Sequence, residues 1–151
     1  MTHQKQTIFM LAGESSGDLH GSHLMKEMKK LNRDIDFCGI GGKLMIAQGL
    51  VSLVPIKRLS VMGFWEVIKD LRFFLQLKKD VINYIINKRP NKIILIDYPG
   101  FNLQIAKEIK QRTNITILYY ISPQLWAWKE SRINLIKKYI DSLISIFPFE
   151  V

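Results

Sequence analysis

An unbroken apolar run, IILI at residues 93–96, is the strongest structural signal in this sequence. Pro90 precedes the run, and the turn-forming residues 97–100 (DYPG) follow it. A strand that is apolar on both faces is typical of the middle of a parallel sheet that helices cover on both sides. The run therefore favours an α/β fold with this strand at its centre.

Strand and helix patterns alternate along the rest of the chain. Apolar runs predict further strands at residues 7–12, 36–40, 51–54, 115–121 and 143–147. Helical spacing predicts helices after the first strand, with Leu24, Met28 and Leu31 on one face, and at 44–48, 102–112, with Ile105, Ala106 and Ile109 inward, and 129–139. This order predicts a Rossmann-like doubly wound parallel sheet with helices on both faces. A length of 151 residues suits one domain over residues 1–151.

The loop after the first strand, residues 13–18 (GESSGD), is the first candidate site. Ligands of such sheets bind beyond the carboxyl ends of the strands, glycines permit close approach, and the free amides at a helix start attract anions. The G-x-x-x-G spacing matches neither the dinucleotide fingerprint nor a P-loop. The loop is either a tight turn in which Ser16 or Asp18 caps the helix, or a binding loop, and the carboxylate of Glu14 is more than a cap requires.

Two other strand ends carry unusual residues. Residues 39–42 (GIGG) form either a turn or a site, and the absence of a third glycine weakens the case for a nicotinamide cofactor. Asp97 follows the most buried strand, where partial desolvation raises the pKa of a carboxylate and suits it to act as a base. The alternative, from position alone, is that Asp97 only satisfies backbone amides of the turn around Pro99.

An aromatic loop is predicted at residues 122–128 (SPQLWAW). Its two tryptophans, Trp126 and Trp128, could stack on a sugar and donate an indole N–H. Packing against the following helix explains at least one of them equally well. The loop is therefore a candidate binding element.

A basic and apolar segment extends over residues 61–92. Nine Lys/Arg and three acids lie between Lys57 and Lys92, within a chain of formal net charge +9. This charge suits nucleic acid, phosphorylated lipid or an anionic membrane surface. The mixture of large apolar and basic side chains predicts a helix that lies in the membrane interface, and the alternative is two buried helices with solvated charges.

Several other functions find little support in the sequence. His3, His20 and His23 show no metal-ligand spacing, so we expect no metal. Cys38 is expected to be a small buried apolar residue in a reducing compartment. No secretory signal and no charge-free run of about 18 apolar residues is present, which leaves a surface-lying helix as the expected form of membrane contact.

Six motifs in this order resemble the lipid-A-disaccharide synthase family. They are GESSGD (13–18), GIGG (39–42), VMG (61–63), DYPGFN (97–102), SPQLWAW (122–128) and PFE (148–150). The resemblance covers essentially the whole chain but only about the first two-fifths of a family member. It implies the N-terminal, acceptor-side domain of a GT-B glycosyltransferase, without the C-terminal domain that binds the donor.

The resemblance implies a reaction and a set of site residues. UDP-2,3-diacylglucosamine would donate its sugar to 2,3-diacylglucosamine 1-phosphate, with inversion, to form a β(1→6) disaccharide and UDP on the cytoplasmic face of the inner membrane. No cofactor, metal or nucleic acid is implied. Asp97, which we favour, or Glu14 would be the catalytic base, and the acceptor would contact Ser15, Ser16, Gly17, Asp18, Gly41, Gly42, Asn102, Ser122 and Trp126. The peripheral membrane contact would involve Met62, Phe64, Trp65, Lys69, Arg72, Phe73, Phe74 and Lys78.

Two departures from the family limit this expectation. Many family members have a second aspartate where this chain has Gly100. The missing donor half should leave the isolated chain inactive unless a second polypeptide supplies it. The competing hypotheses are a truncated, non-catalytic membrane-surface module and, with less support, a nucleotide-dependent oxidoreductase or methyltransferase on the same fold.

Overall fold

The computed structural model describes residues 5–55, 71–121 and 130–145 of the chain. Within these residues six parallel strands form one sheet in the order β3-β2-β1-β4-β5-β6. The strands are β1 (Gln6–Ala12), β2 (Ile35–Gly41), β3 (Leu50–Pro55), β4 (Lys92–Ile96), β5 (Thr116–Tyr120) and β6 (Ser142–Ile144). This order is that of the Rossmann fold, so the predicted doubly wound sheet is confirmed.

Five helices cover the two faces of the described sheet. Helices α1 (Ser15–Leu31) and α2 (Lys43–Ala47) pack on one face, and α3 (Leu71–Lys88), α4 (Pro99–Arg112) and α5 (Glu130–Tyr139) pack on the other. This arrangement gives two apolar clusters, one on each side of the sheet. No helix in the described ranges combines the length and the apolar content that crossing a bilayer requires.

Strand β4 occupies the central position that its apolar run predicts. Ile93 and Leu95 face the cluster under α3, α4 and α5, whereas Ile94 and Ile96 face the cluster under α1 and α2. All four side chains are buried. Because both faces of β4 are covered, burial of these side chains holds the two layers of helices to one strand.

The predicted inward face of α1 was wrong at one position. Leu31 is 90% exposed, while Gly17, Gly21, Ser22 and Met25 are buried. A Cβ added at Gly21 would come within 2.9 Å of the Ile96 side chain. The helix therefore lies so close to the sheet that small residues, which an apolar pattern does not reveal, form its inner face.

Helix α4 begins earlier than predicted. It starts at Pro99 rather than at residue 102. The first N–H groups of a helix have no carbonyl partner within the helix. Proline, which lacks an N–H, therefore suits the first helical position. The predicted inward residues Ile105, Ala106 and Ile109 are fully buried, as expected.

Candidate active site at the strand exits

The sheet order reverses between β1 and β4, which are adjacent and parallel. Their last residues, Ala12 and Ile96, are register partners. The loops that leave these strands, which carry Glu14 and Asp97, therefore begin side by side. Crevices at such a reversal of strand order are the usual ligand sites of open α/β sheets.

Backbone strain is concentrated at this end of the sheet. Asp97 and Tyr98 after β4 have φ values of 46° and 49°, and Ile121 after β5 has 64°. Left-handed backbone is uncommon for non-glycine residues and is a clear outlier for the β-branched Ile121. Such conformations persist where the surrounding structure enforces them, and they cluster at functional sites.

Asp97 combines a partly buried carboxyl with a strained turn. Burial raises the pKa of Asp97, and a hydrogen bond from the Tyr98 amide and the charge of His20 oppose this rise without cancelling it. His20, which lies on α1, is therefore near enough for its charge to act on the Asp97 carboxyl. A carboxyl with a raised pKa is suited to accept a proton near neutral pH.

The backbone of Asp97 is held on several sides. Its amide donates to the carbonyl oxygen of Tyr120 at 3.2 Å. Its carbonyl oxygen accepts hydrogen bonds from the Tyr119 hydroxyl at 2.5 Å and from Nδ2 of Asn102 at 2.7 Å. Strands β4 and β5 and helix α4 thus meet at this one peptide.

Glu14 lies at the start of α1 with an exposed side chain. It is the N-cap residue by position, but its carboxylate makes no capping hydrogen bond. The ring of Tyr98 lies against Gly13, where an added Cβ would overlap it. Burial raises the pKa of Tyr98, and the charge of Glu14 raises it further. Glu14 and Tyr98 therefore lie close enough to interact, and the two strand exits share one neighbourhood.

Asp18 has a different role from the predicted cap of its own helix. Its carboxylate is buried, and it accepts hydrogen bonds from the amides of Gly42 at 2.8 Å, Met45 at 3.0 Å and Leu44 at 3.1 Å. The alternative in which Ser16 or Asp18 caps α1 was therefore wrong, because Glu14 occupies that position and Asp18 caps α2. These three hydrogen bonds tie α1 to the second glycine loop, residues 39–42, and to the start of α2.

The other predicted acceptor contacts in the described residues lie at or after the ends of β1, β2 and β4. Ser15 and Ser16 are exposed at the start of α1, and Gly17 is buried with Ala12 beneath it. Gly41 packs against Leu50 and Met45, and the Gly42 amide is already bonded to Asp18. Acceptor binding by these residues and by Asn102 stays a prediction. Ser122 and Trp126 lie outside the described residues.

The predicted membrane residues fall partly within the described chain. Met62, Phe64, Trp65 and Lys69 lie outside it. Phe73 and Phe74 are half-buried against the core, and Phe74 meets Phe101 edge-to-face at a centroid distance of 5.7 Å. Arg72 is exposed and Lys78 is half-buried. Leu71 and Leu75, which the sequence analysis did not single out as membrane contacts, are 57% and 53% exposed on the same helix.

Sequence reasoning missed Tyr119 as a site residue. Its side chain is fully buried at an inward position of β5, where the pattern predicts an apolar residue. A tyrosine one residue before the end of β5 was the available signal, because a buried hydroxyl requires a partner. Among the described residues, no group of three His, Cys, Asp or Glu side chains is arranged to hold a metal ion.

Comparisons with known proteins identify one family. A sequence profile described as Lipid-A-disaccharide synthetase matches residues 8–151. Lipid-A-disaccharide synthase 1 of Legionella pneumophila is 43% identical over 143 residues, and the Coxiella burnetii synthase is 39% identical over 145 residues. These matches cover 95% and 96% of this chain but only 37% and 38% of those proteins.

A solved structure supports the fold assignment alone. A Vibrio parahaemolyticus protein of unknown function aligns with a TM-score of 0.52 at 12% identity, over 98% of this chain and 96% of its own. At this identity the similarity carries no functional information.

Proposed function

This chain belongs to the lipid-A-disaccharide synthetase family, and from that premise we propose that it is the acceptor-side, N-terminal domain of a GT-B glycosyltransferase of lipid A biosynthesis. The chain spans somewhat more than a third of its curated relatives, 37% of the Legionella protein. The donor, a UDP-linked diacylglucosamine, would be bound mainly by a second domain, which corresponds to the part of the relatives that these residues do not match. The acceptor would be a diacylglucosamine 1-phosphate, bound in the crevice between the exits of β1 and β4.

The observation that carries this proposal is the pairing of two carboxylate-bearing loops at the reversal of strand order. Asp97 and Glu14 follow adjacent strands whose last residues are register partners. Formation of a β(1→6) bond by inversion needs one base to remove the proton from the attacking hydroxyl. Two acidic side chains at one crevice provide a base and a second polar group for the sugar.

Asp97 is the better candidate for the base. Its carboxyl is partly buried, and burial raises its pKa, whereas the Glu14 side chain is exposed. Asp97 would take the proton from the acceptor hydroxyl while that oxygen attacks the anomeric carbon of the donor. The bond from that carbon to the UDP oxygen would break at the same time, so UDP leaves with the electron pair.

Membrane contact is the second part of the proposal. The substrates carry acyl chains, so the crevice must open near a bilayer surface. Arg72 and Lys79 are exposed on α3 beside the exposed Leu71 and Leu75. Basic and apolar side chains on one surface suit the interface of an anionic membrane.

The test is the substitution Asp97→Asn in a polypeptide that contains this chain and supplies the donor domain. We expect disaccharide formation to fall by at least about a hundredfold, because general bases contribute about 10²–10⁴-fold. Asp34→Asn, an exposed aspartate at the opposite end of the sheet, is the matched control and should retain activity. Circular dichroism would verify that both variants fold.

Two outcomes would contradict the proposal. Normal turnover of Asp97→Asn would show that this carboxylate is not the base. Glu14 would then be the candidate base, and Glu14→Gln the variant that tests it. Vesicle binding by the parent polypeptide with no disaccharide formed under any condition would instead support a non-catalytic membrane-surface module.

A further inference from the structure

The left-handed turn at Asp97 is held by two side chains, Tyr119 and Asn102, that transfer no proton in the proposed reaction. The Tyr119 hydroxyl and Nδ2 of Asn102 both donate to the Asp97 carbonyl oxygen, at 2.5 Å and 2.7 Å. Nδ2 of Asn102 also lies 3.3 Å from the carbonyl oxygen of Ile96, the preceding residue. Both donor side chains are fully buried, which limits the access of water to the donors.

The energies of the strain and of the hydrogen bonds are comparable. Asp97 and Tyr98 both have positive φ, a backbone conformation that costs free energy in any residue other than glycine. A hydrogen bond between buried neutral groups gives a net stabilisation of similar size. Two of them on one carbonyl oxygen, with the amide bond to Tyr120, offset a large part of that strain. Removing either donor should therefore let the turn relax.

Both residues are poor choices for packing alone. Asn102 is 0% exposed, and its Oδ1 has no hydrogen-bond partner in the part of the chain that the structure describes. A buried polar atom without a partner lowers stability, a cost that an apolar residue would avoid. Phenylalanine would likewise fill the position of Tyr119 in the core. The Tyr119 hydroxyl and Nδ2 of Asn102 are explained by the hydrogen bonds that they donate to the Asp97 carbonyl oxygen.

We propose that Tyr119 and Asn102 are positioning residues for Asp97, which fix the left-handed turn that carries its carboxyl at the exit of β4. The inference rests on the proposed function, in which Asp97 is the base. Tyr119 reaches this turn from β5 and Asn102 from α4, so the base is fixed relative to both elements. Neither residue is required to touch the substrate.

The first experiment follows the Asp97 carboxyl in this chain by carbon-detected NMR as pH is varied. Tyr119→Phe keeps the ring in the core and removes only one donor. We expect the Asp97 carboxyl to titrate closer to the ordinary aspartate range in this variant, because a relaxed turn exposes it to water. Tyr139→Phe, at a buried tyrosine of the same apolar cluster, is the control and should leave the Asp97 titration unchanged.

The second experiment separates positioning from stability in a polypeptide able to form the disaccharide. We expect Tyr119→Phe to lower kcat by about 10–100-fold with KM changed less than about twofold, since small misplacements of a catalytic group have effects of this size. Asn102→Ala should lower kcat in the same way. A merely structural role would instead lower the midpoint of unfolding and leave kcat and the Asp97 titration as in the parent.

The two hypotheses fail in distinguishable ways. An unchanged Asp97 titration and an unchanged kcat in folded Tyr119→Phe would overturn the positioning role, even with Asp97→Asn inactive. Full activity of Asp97→Asn would overturn the proposed base, and a shifted Asp97 titration in Tyr119→Phe would then still show that Tyr119 holds this turn.

Discussion

At the scale of single residues, Asp97 is where the sequence and the geometry agree most closely. Its place directly after the most buried strand predicts a partly desolvated carboxyl, and burial does raise the pKa of Asp97. The left-handed turn and its two buried donors could not be predicted. They depend on β5 and α4 packing against the exit of β4, and local sequence does not encode that contact.

The raised pKa gives a prediction about stability and pH. A carboxyl whose pKa is higher in the folded than in the unfolded state favours folding in its protonated form. Its contribution is therefore complete below the unfolded pKa and is lost as pH rises through the folded pKa. Asp97→Asn should gain stability relative to the parent across this window. Urea unfolding at several pH values measures the difference, and a difference independent of pH would contradict the prediction.

At the scale of elements, the second glycine loop, residues 39–42, shows that a motif can be recognised in the sequence before the reason for its glycines is known. The sequence leaves residues 39–42 as a turn or a site. In the structure Gly39 has a φ of 138°, and an added Cβ would overlap the carbonyl oxygen of Met10. Glycine is needed there because two strands approach closely, a contact that appears only after β1 and β2 pair.

Helix α2 should depend on the carboxylate of Asp18. This buried group accepts three amide hydrogen bonds at the start of α2. Because hydrogen bonds to charged groups contribute about 1.5–3 kcal/mol each, Asp18→Ala should lower the free energy of unfolding by at least about 2 kcal/mol. Glu27→Ala, on the exposed side of α1, should leave it nearly unchanged. Equal unfolding midpoints in urea would show that the Asp18 contacts contribute little.

The end of α3 offers a stabilising change. Arg89 follows the helix with a φ of 48°, and its amide donates to Ile85 at 2.9 Å. Glycine adopts this conformation without steric cost, so Arg89→Gly should add about 0.5–1 kcal/mol to the free energy of unfolding. The neighbouring Lys88→Gly, inside the helix, should lose a similar amount. Destabilisation of both variants in urea titrations would contradict the assignment of Arg89 as the helix-terminating residue.

At the scale of the whole molecule, the alternation of strands and helices was enough to predict the class of fold. The order of strands followed only from the structure, because which strands become neighbours depends on crossovers between distant segments. The inner face of α1 was also partly wrong, since glycine and serine rather than Leu31 face the sheet. Apolar periodicity predicts where a helix buries large side chains. It does not predict how closely the helix can approach the sheet.

The distribution of exposed leucines across the two faces gives a test of membrane contact. Leu71→Glu with Leu75→Glu should weaken binding to phosphatidylglycerol vesicles by at least tenfold, because burying a leucine contributes about 1.5–3 kcal/mol. Leu19→Glu with Leu31→Glu on α1 introduces the same charge on the opposite face and should reduce binding less. Co-sedimentation measures both. Equal losses would mean that charge, not apolar contact by α3, controls binding.

The pairing of β1 with β4 has a consequence for how this chain folds during synthesis. The Thr7 amide donates a hydrogen bond to Oδ1 of Asn91, 84 positions later in the sequence. The pairing of β1 with β4 that follows brings the loop of Glu14 beside that of Asp97. Parallel strands separated by this much sequence pair slowly, because a long loop must close, at an entropic cost, before any stabilising contact forms. During synthesis β1 can pair with β4 only after most of this chain has left the ribosome. A nascent chain interrupted before β4 therefore lacks the strand that precedes Asp97, and the loops of Glu14 and Asp97 cannot yet lie side by side.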